Sequence, residues 1–206
     1  MLKFYFAPGT CALASRITLE EAGADYEPVR LDFSKTQQRS PDYLKVNPKG
    51  RVPALVTDRG TLTETPAILA YIAQTYPRAN LAPVDDAFEF ARVQSINSYF
   101  CSTVHVAHAH RMRGYRWADE PAAIEAMQKK VPQSVGECFQ LIENEILMGP
   151  WVMGGKFTIC DPYLFTLSGW MKADSVDINS FPKVHAHRLL MLERPAVQKA
   201  LVDEPR

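Results

Sequence analysis

Apolar residues near the start of the chain alternate between a period typical of strands and one typical of helices. The runs Leu2–Ala7 and Tyr26–Asp32 are short and carry aromatic or β-branched residues, which predicts strands. Between them, Ala12–Ala22 places apolar residues one helical turn apart, and the following Gly23 is typical of a helix end. The chain is therefore expected to begin with a strand, a helix and a second strand.

The chain up to residue 76 continues with a short helix, a hairpin and a third helix. Ser40, which is followed by a proline, is typical of a helix start, and this helix is expected to end near Asn47. The runs Val52–Thr57 and Thr61–Thr63 flank a short polar turn, which predicts a β-hairpin. A third helix with one apolar face is expected from Thr65. The order βαβαββα predicts a parallel strand pair extended by an antiparallel hairpin, with helices on the faces.

Strand patterns end at a proline-bearing stretch, residues 78–87, which predicts a linker. Helical patterns follow it. Thr158-Ile-Cys-Asp161 has the sequence of a capping box at the start of an apolar helix, with Phe157 placed for a hydrophobic staple. The fold class is therefore α/β plus all-α, with a small mixed domain at residues 1–77 and an all-helical domain at residues 88–206.

The composition is that of an ordinary globular protein, with 47% apolar and 22% charged residues. The 23 Lys and Arg balance the 23 Asp and Glu, so no basic excess indicates nucleic acid or an anionic membrane as a partner. No apolar run approaches the roughly 20 residues that span a bilayer, and we expect no signal peptide. The four cysteines lack metal-ligand spacing, so we expect a reducing cytoplasm, no metal and no prosthetic group.

Cys11 is the candidate reactive residue, because it lies between the first strand and the first helix. The unpaired N–H groups at a helix N-terminus favour the thiolate form of a cysteine. Ala14 stands where a C-x-x-C pair would have its second cysteine, so the site suits a thiol that comes from another molecule. The alternative is that Cys11 is a small buried apolar residue.

Four segments resemble, in order, the motifs of one protein family. They are Pro8–Ser15, Asn47–Pro53, Leu62–Ile68 and Phe157–Thr166. Together with the domain plan, they make the chain similar to the cytosolic glutathione transferases, whose first domain is thioredoxin-like. The cysteine at position 11 makes it most similar to the bacterial beta class. The resemblance covers essentially the whole chain and implies a cytoplasmic homodimer that uses glutathione as co-substrate.

The resemblance implies a glutathione site in the first domain. Glu64 and Thr65 are expected to bind the ammonium and the carboxylate of the γ-glutamyl end, next to a helix N-terminus. Val52-Pro53 resembles the family's cis-proline pair, in which the backbone of the first residue bonds the cysteinyl part in strand fashion. The candidates for the glycine carboxylate are, with the nearest family match first, Lys35, Lys49 and Arg51.

The resemblance also assigns residues of the helical domain to the site. His105 is expected to approach Cys11 and the glutathione thiol and to donate to a thiolate. Its spacing to His108 suits two metal ligands on one helix face, but no third ligand is apparent. The residues expected to help line the same site are Ser98, Ser102 and Thr103.

Two positions depart from the beta-class pattern. Relatives often carry serine where this chain has Ala12 and lysine where it has Val106, so a hydroxyl and a positive charge are missing. Stabilisation of the thiolate is therefore expected to depend more on the helix end, on Thr10 and on His105. The residues that could line an apolar pocket, most of them expected to be ordinary core, are Tyr99, Met112, Tyr115, Trp117, Tyr163 and Trp170.

The leading hypothesis is a glutathione transferase, in which glutathione thiolate attacks a hydrophobic electrophile held against the second domain in a detoxification reaction. One alternative is a glutathione-dependent thiol–disulfide reductase, in which Cys11 itself attacks and forms a mixed disulfide. The other alternative is a non-catalytic binding or scaffold protein that keeps the same fold.

Overall fold

The computed structural model describes residues 1–204, and packing divides the chain into two compact units. The first unit consists of Met1–Gln94 together with the segment that begins at Leu192, and the second consists of Ser95–Met191. Packing thus assigns the C-terminal segment to the first unit, whereas the sequence pattern places it in a helical domain at residues 88–206. The domain boundaries expected from the sequence stay a prediction.

The first unit contains a four-stranded mixed sheet in the order β2-β1-β3-β4. Its strands are β1 (Leu2–Phe6), β2 (Tyr26–Arg30), β3 (Ala54–Thr57) and β4 (Gly60–Thr63). The β1–β2 pair is parallel, while β3 runs antiparallel to both β1 and β4. This arrangement confirms the predicted parallel pair extended by a hairpin, and with it the thioredoxin-like fold.

The helices that pack on this sheet are α1 (Ala12–Glu21), α2 (Pro41–Val46) and α3 (Thr65–Thr75). The predicted cap of α2 is confirmed, because the Ser40 hydroxyl accepts a hydrogen bond from the Tyr43 amide at 3.2 Å. Burying each large apolar side chain contributes about 1.5–3 kcal/mol to folding. Side chains of this kind that are fully buried in the first unit are Phe4, Ile17, Leu19, Leu55, Ile68, Leu69 and Ile72.

The second unit is helical among its described residues, as the sequence predicts. Its α-helices are α4 (Ala87–Tyr99), which begins in the first unit, then α5 (His105–Arg113), α6 (Pro121–Leu141), α7 (Cys160–Ser168) and α8 (Pro182–Leu192). A further helix, α9 (Pro195–Ala200), belongs to the first unit. Two π-helical turns, at Phe100–Val104 and Ile142–Ile146, continue α4 and α6. Short 3-10 turns lie at Gln37–Arg39, Pro77–Ala79, Gly114–Arg116, Met171–Asp174, Ile178–Ser180 and Leu201–Asp203.

The predicted capping box at the start of α7 is present, although the helix begins at Cys160. The buried Asp161 carboxylate accepts from the Thr158 amide at 2.6 Å, and the Thr158 hydroxyl accepts from the Cys160 amide at 3.3 Å. Phe157 packs edge-on against Trp151, with ring centroids 5.4 Å apart. The box therefore orders the loop before α7 as well as the helix end.

Among residues 1–204, no helix is both long enough and apolar enough to cross a membrane.

Candidate active site

Cys11 lies directly before α1, with a helical backbone conformation (φ −62°, ψ −12°) and a partly exposed side chain. Its thiol faces the backbone of another segment, since Sγ lies 3.6 Å from the carbonyl oxygen of Val52. A thiol can donate to a carbonyl oxygen and a thiolate cannot. This contact is therefore a hydrogen bond only for the protonated form of Cys11.

Thr10 does not supply the hydroxyl that Ala12 lacks. Its Oγ1 donates to the carbonyl oxygen of Ala7 at 2.6 Å and accepts from the Ala12 amide at 3.3 Å. Because its one proton is used by the Ala7 carbonyl, the hydroxyl orders the turn before Cys11 and leaves no proton for a thiolate. The structure therefore contradicts the expectation that Thr10 stabilises a thiolate through its hydroxyl.

The Val52–Pro53 peptide bond is cis, which confirms the conformation expected from the family motif. The preceding carbonyl, that of Arg51, accepts from the Tyr43 hydroxyl and from the Asn47 amide group, each at 2.6 Å. These bonds hold the backbone that leads into Val52. Strand β3 begins later than predicted, because Pro53 has no N–H to contribute to a ladder.

Glu64 and Thr65 lie at the junction of β4 and α3, beside the Val52–Pro53 segment. Thr63 pairs with Ala54 across the hairpin, so the residues after one and before the other are neighbours. Glu64 has a positive φ of 72°, a conformation that side-chain-bearing residues adopt at a cost of about 1 kcal/mol or more. Thr65 is only 4% exposed and begins α3, whose first N–H groups suit a carboxylate.

Lys49 is the cation that the structure brings to this junction. Its Nζ lies 2.6 Å from Glu64 Oε1 and 2.8 Å from the Thr63 hydroxyl. Lys35 has a 74% exposed side chain and lies 3.7 Å from the Asp32 carboxylate. Which cation meets the glycine carboxylate stays a prediction, as do the binding roles of Glu64 and the residues around it.

His105, the candidate of the second unit, begins α5. Its Nδ1 lies 3.4 Å from the Tyr163 hydroxyl, and its ring centroid lies 5.1 Å from that of Trp170. The neighbouring His108 is bonded instead to the buried Asp174, which also accepts from Arg111 Nε at 2.8 Å. Among residues 1–204, no group of three or more His, Cys, Asp or Glu side chains is placed to hold a metal ion.

A cavity of about 370 Å³ lies within the second unit. Two of the candidates from the sequence, Ser102 and Thr103, line it. The exposed Ser98 and the partly exposed His105 are not among its lining residues. The wall exposes more apolar than polar surface, although hydroxyl, carboxyl and imidazole side chains contribute to it. The other lining residues are Tyr99, Val106, Ala107, His110, Ser134, Glu137 and Cys138.

The aromatic candidates are placed in different environments. Tyr163 is buried and packs edge-on against Phe100, with ring centroids 5.9 Å apart, so it is core as expected. Trp170 packs against both His105 and His108, a contact that the sequence did not indicate. The side chains that stay exposed are Met112, Tyr115 and Trp117.

The comparisons with known proteins agree with this geometry. Residues 1–74 match the family described as glutathione S-transferase, N-terminal domain. The chain is 35% identical over 206 residues to the glutathione S-transferase GstA of Escherichia coli O157:H7, covering 98% of each chain. The chain belongs to the cytosolic glutathione S-transferase family.

Solved structures refine the class of this transferase. A glutathione transferase homologue from Sulfitobacter, described with bound glutathione, is 44% identical, with a TM-score of 0.93 over 97% of this chain and 96% of the other. A bacterial beta class glutathione S-transferase from Sphingomonas chungbukensis is 34% identical, with a TM-score of 0.84 over the same shares. These likenesses confirm the beta-class assignment that Cys11 suggested.

The transferase contains contacts near its candidate site residues that the sequence did not indicate. Lys49 was only one of three candidate cations, and its ion pair with Glu64 spans the hairpin. The Asp174 carboxylate, which holds His108 and Arg111, is distant from them in sequence, so no motif indicated it. The burial of Asp174 in the short turn Met171–Asp174 is visible only in the structure.

Proposed function

We propose that this protein conjugates glutathione, through its sulfur, to electrophilic small molecules, as a beta-class glutathione transferase in a detoxification role. One observation carries the proposal. The Cys11 thiol, the Val52 carbonyl and the start of α3 meet within one unit, at the end of the hairpin formed by β3 and β4. A helix N-terminus that suits a carboxylate thus lies beside the Val52 backbone carbonyl and the Cys11 thiol.

The binding roles follow from the chemistry of glutathione. The γ-glutamyl carboxylate accepts hydrogen bonds from the N–H groups at the start of α3 and from the Thr65 hydroxyl, and the ammonium donates to Glu64. The cysteinyl part pairs with the backbone of Val52, next to Pro53. The glycine carboxylate meets Lys49, or Lys35 from its exposed loop. The Sulfitobacter homologue, described with bound glutathione, supports glutathione as the ligand.

The role of Cys11 follows from its contact with Val52. A glutathione cysteinyl residue that pairs with the Val52 backbone has its sulfur near Cys11, whose S–H can then donate to that sulfur. A donor to sulfur stabilises the thiolate, and the family resemblance implies His105 as a second donor. Cys11 is then a hydrogen-bond donor and glutathione is the nucleophile.

The reaction with a chloronitroaromatic compound balances without any other reactant. The glutathione thiol gives its proton to water, and the sulfur electron pair forms the new bond to carbon. The carbon–chlorine bond then breaks, and chloride leaves with the bonding electrons. The protein contributes by raising the thiolate fraction and by holding the sulfur near the electrophile. The family resemblance implies an apolar surface of the helical domain for the aromatic ring.

The experiment that tests the proposal removes the Cys11 sulfur. Cys11→Ala is expected to conjugate the chloronitroaromatic compound with kcat lowered about tenfold, because a donor is lost and the nucleophile is kept. In the reductase alternative, a Cys11 thiolate attacks oxidised glutathione, forms a mixed disulfide and releases one glutathione thiolate. Complete loss of turnover in Cys11→Ala, with a glutathione adduct on Cys11 in intact mass spectra of the parent, would refute the transferase mechanism.

The assembly proposed for this protein is a homodimer, and the proposed location is the cytoplasm. The family resemblance supports a homodimer, which light scattering coupled to gel filtration tests directly. A reducing cytoplasm, where glutathione is kept as the thiol, agrees with the four cysteines, none of which is in a disulfide. No turnover with a panel of electrophiles, combined with failure to bind immobilised glutathione, would instead favour a scaffold protein.

A further inference from the structure

The C-terminal segment of the chain follows helix α1 in the antiparallel direction. Arg194 donates to the Glu21 carboxylate from Nε at 2.5 Å and from Nη2 at 2.7 Å, at the far end of the helix. Lys199, at the end of α9, lies 2.6 Å from Glu20. Successive residues of the segment therefore contact α1 at positions that approach its N-terminus.

The next contact involves a buried cation in the middle of α1. Arg16 is only 6% exposed, and its Nη2 lies 2.7 Å from the Asp203 carboxylate. Its guanidinium also lies over the ring of Phe6, 4.7 Å from the centroid. A buried guanidinium is costly unless it is paired, so this contact fixes the end of the segment in place.

The segment reaches the turn that carries Cys11. The Glu204 carboxylate accepts a hydrogen bond from the Gly9 amide at 2.5 Å. Gly9 has a positive φ of 71°, which a glycine adopts without steric cost, and it precedes Cys11 by two residues. The carboxylate thus holds a turn that would otherwise have freedom to move.

We infer that Glu204 is a positioning residue for the active site, because it holds the Gly9 turn and through it the Cys11 thiol. The same turn is held from inside by Thr10, whose hydroxyl bonds the carbonyl of Ala7. The inference about catalysis rests on the proposed function, whereas the inference about the position of Cys11 does not. The residue touches no reacting atom and acts only through the turn.

The charges around Glu204 make this contact sensitive to pH. Burial raises the pKa of the Glu204 carboxyl, and the hydrogen bond from Gly9 opposes that rise. The cations of Arg16 and Arg30 also lower the pKa, while the negative charge of Asp203 raises it. A protonated carboxyl is a weaker acceptor than a carboxylate, so the turn is expected to loosen as the pH falls toward this raised pKa.

The test compares Glu204→Ala with Glu204→Gln and with Lys199→Ala. The glutamine oxygen can still accept from Gly9, and the lysine variant removes an exposed cation of the same segment, away from the turn. The first readout is the rate of Cys11 alkylation by iodoacetamide, followed by peptide mass spectrometry with Cys101 as the internal reference. It does not require transferase activity. The second readout is kcat and KM for conjugation.

In Glu204→Ala we expect Cys11 alkylation to rise about threefold and kcat to fall about three- to tenfold, with KM for glutathione changed less than about twofold. At about pH 7, Glu204→Gln should lie between the parent and Glu204→Ala, because a neutral amide oxygen is a weaker acceptor than a carboxylate, and Lys199→Ala should stay near the parent. The ratio of parent to Glu204→Gln activity should be above one at about pH 7 and should approach one as the pH falls toward the raised pKa of the parent carboxyl, where the carboxylate gains its proton. Unchanged alkylation of Cys11 in Glu204→Ala would overturn the inference. An inactive parent with altered alkylation in the variant would contradict the proposed function alone. Should Glu204→Ala fail to fold, a parent-to-Glu204→Gln ratio that does not vary with pH would overturn the inference instead.

Discussion

Lys49 Nζ lies 2.6 Å from Glu64 Oε1 and thereby joins the loop before β3 to the start of α3. Both side chains are about half exposed, so the pair contributes roughly 0–1 kcal/mol to folding. The main effect of this ion pair is therefore on the position of the Glu64 side chain and not on stability. It holds the carboxylate of Glu64 beside the helix end where we propose that glutathione binds.

A substitution of Lys49 is expected to affect binding more than stability. In Lys49→Ala, KM for glutathione should rise about three- to tenfold, because a cation of the site is lost, while the melting temperature should change by only a few degrees. Steady-state kinetics and thermal unfolding measure the two effects. Lys35→Ala is the matched control, since Lys35 is highly exposed and lies beside Asp32. A larger rise in KM for Lys35→Ala would show that the family position, and not Lys49, binds the glycine carboxylate.

Because Glu64 has a positive φ, substitutions at this residue can distinguish an effect on stability from an effect on glutathione binding. Glu64→Gly relieves the backbone conformation and Glu64→Ala retains it, so the glycine variant should be about 1 kcal/mol more stable than the alanine variant in urea unfolding. Both variants remove the acceptor for the glutathione ammonium, so retention on immobilised glutathione should fall about tenfold or more in each.

The control for Glu64 is Glu64→Gln, which keeps an oxygen acceptor and should retain more binding than Glu64→Ala. Normal binding by Glu64→Ala would show that another group holds the γ-glutamyl end. Equal stability of the glycine and alanine variants would show that the backbone conformation carries no cost.

The order of the elements could be predicted from local patterns, because strands and helices of this chain keep their periods. The hairpin and the cap by Ser40 are set by neighbours in sequence, and the structure confirms them. The π-helical turn at Phe100–Val104 leaves no such signal, since its spacing is close to that of α4. Strand β3 begins late because of Pro53, which was visible in the sequence but was read as part of the strand.

Contacts between segments that are distant in the chain could not be predicted from the sequence. The carboxylate of Glu204 reaches the amide of Gly9 across 195 positions, and no local pattern indicates such a pairing. Arg16 similarly has its partner Asp203 at the other end of the chain. The choice between Lys35 and Lys49 depends on how loops fold back, which spacing alone does not determine. The family motifs predicted where the site lies, and not the ion pairs that hold it.

Asp161 is expected to be the most sensitive polar position of the second unit. It is fully buried and accepts from the Val152 amide at 2.7 Å, the Thr158 amide at 2.6 Å and His187 Nε2 at 3.1 Å. Asp161→Ala leaves these donors without an acceptor, so the free energy of unfolding should fall by about 3–5 kcal/mol. Asp177→Ala is the control, because Asp177 is exposed and only caps a short turn. A loss below about 1 kcal/mol for Asp161→Ala, measured in urea, would contradict this account.

The four thiols are expected to react with iodoacetamide in an order set by burial. Burial raises the pKa of the Cys138 thiol, which lies in the wall of the cavity, and raises that of the fully buried Cys160 well above its ordinary value. A raised pKa keeps a thiol protonated as the pH rises, and the thiolate is the form that is alkylated.

At about pH 8, Cys11 and Cys101, which are partly exposed, should therefore be labelled first and Cys138 later, while Cys160 should react only after unfolding in urea. Peptide mass spectrometry at increasing times gives the order, and the urea-unfolded chain, in which all four thiols react, is the control. Labelling of Cys160 at the rate of Cys11 in the native protein would mean that α7 opens far more often than its full burial indicates, because a fully buried thiol can react only in molecules that have opened locally.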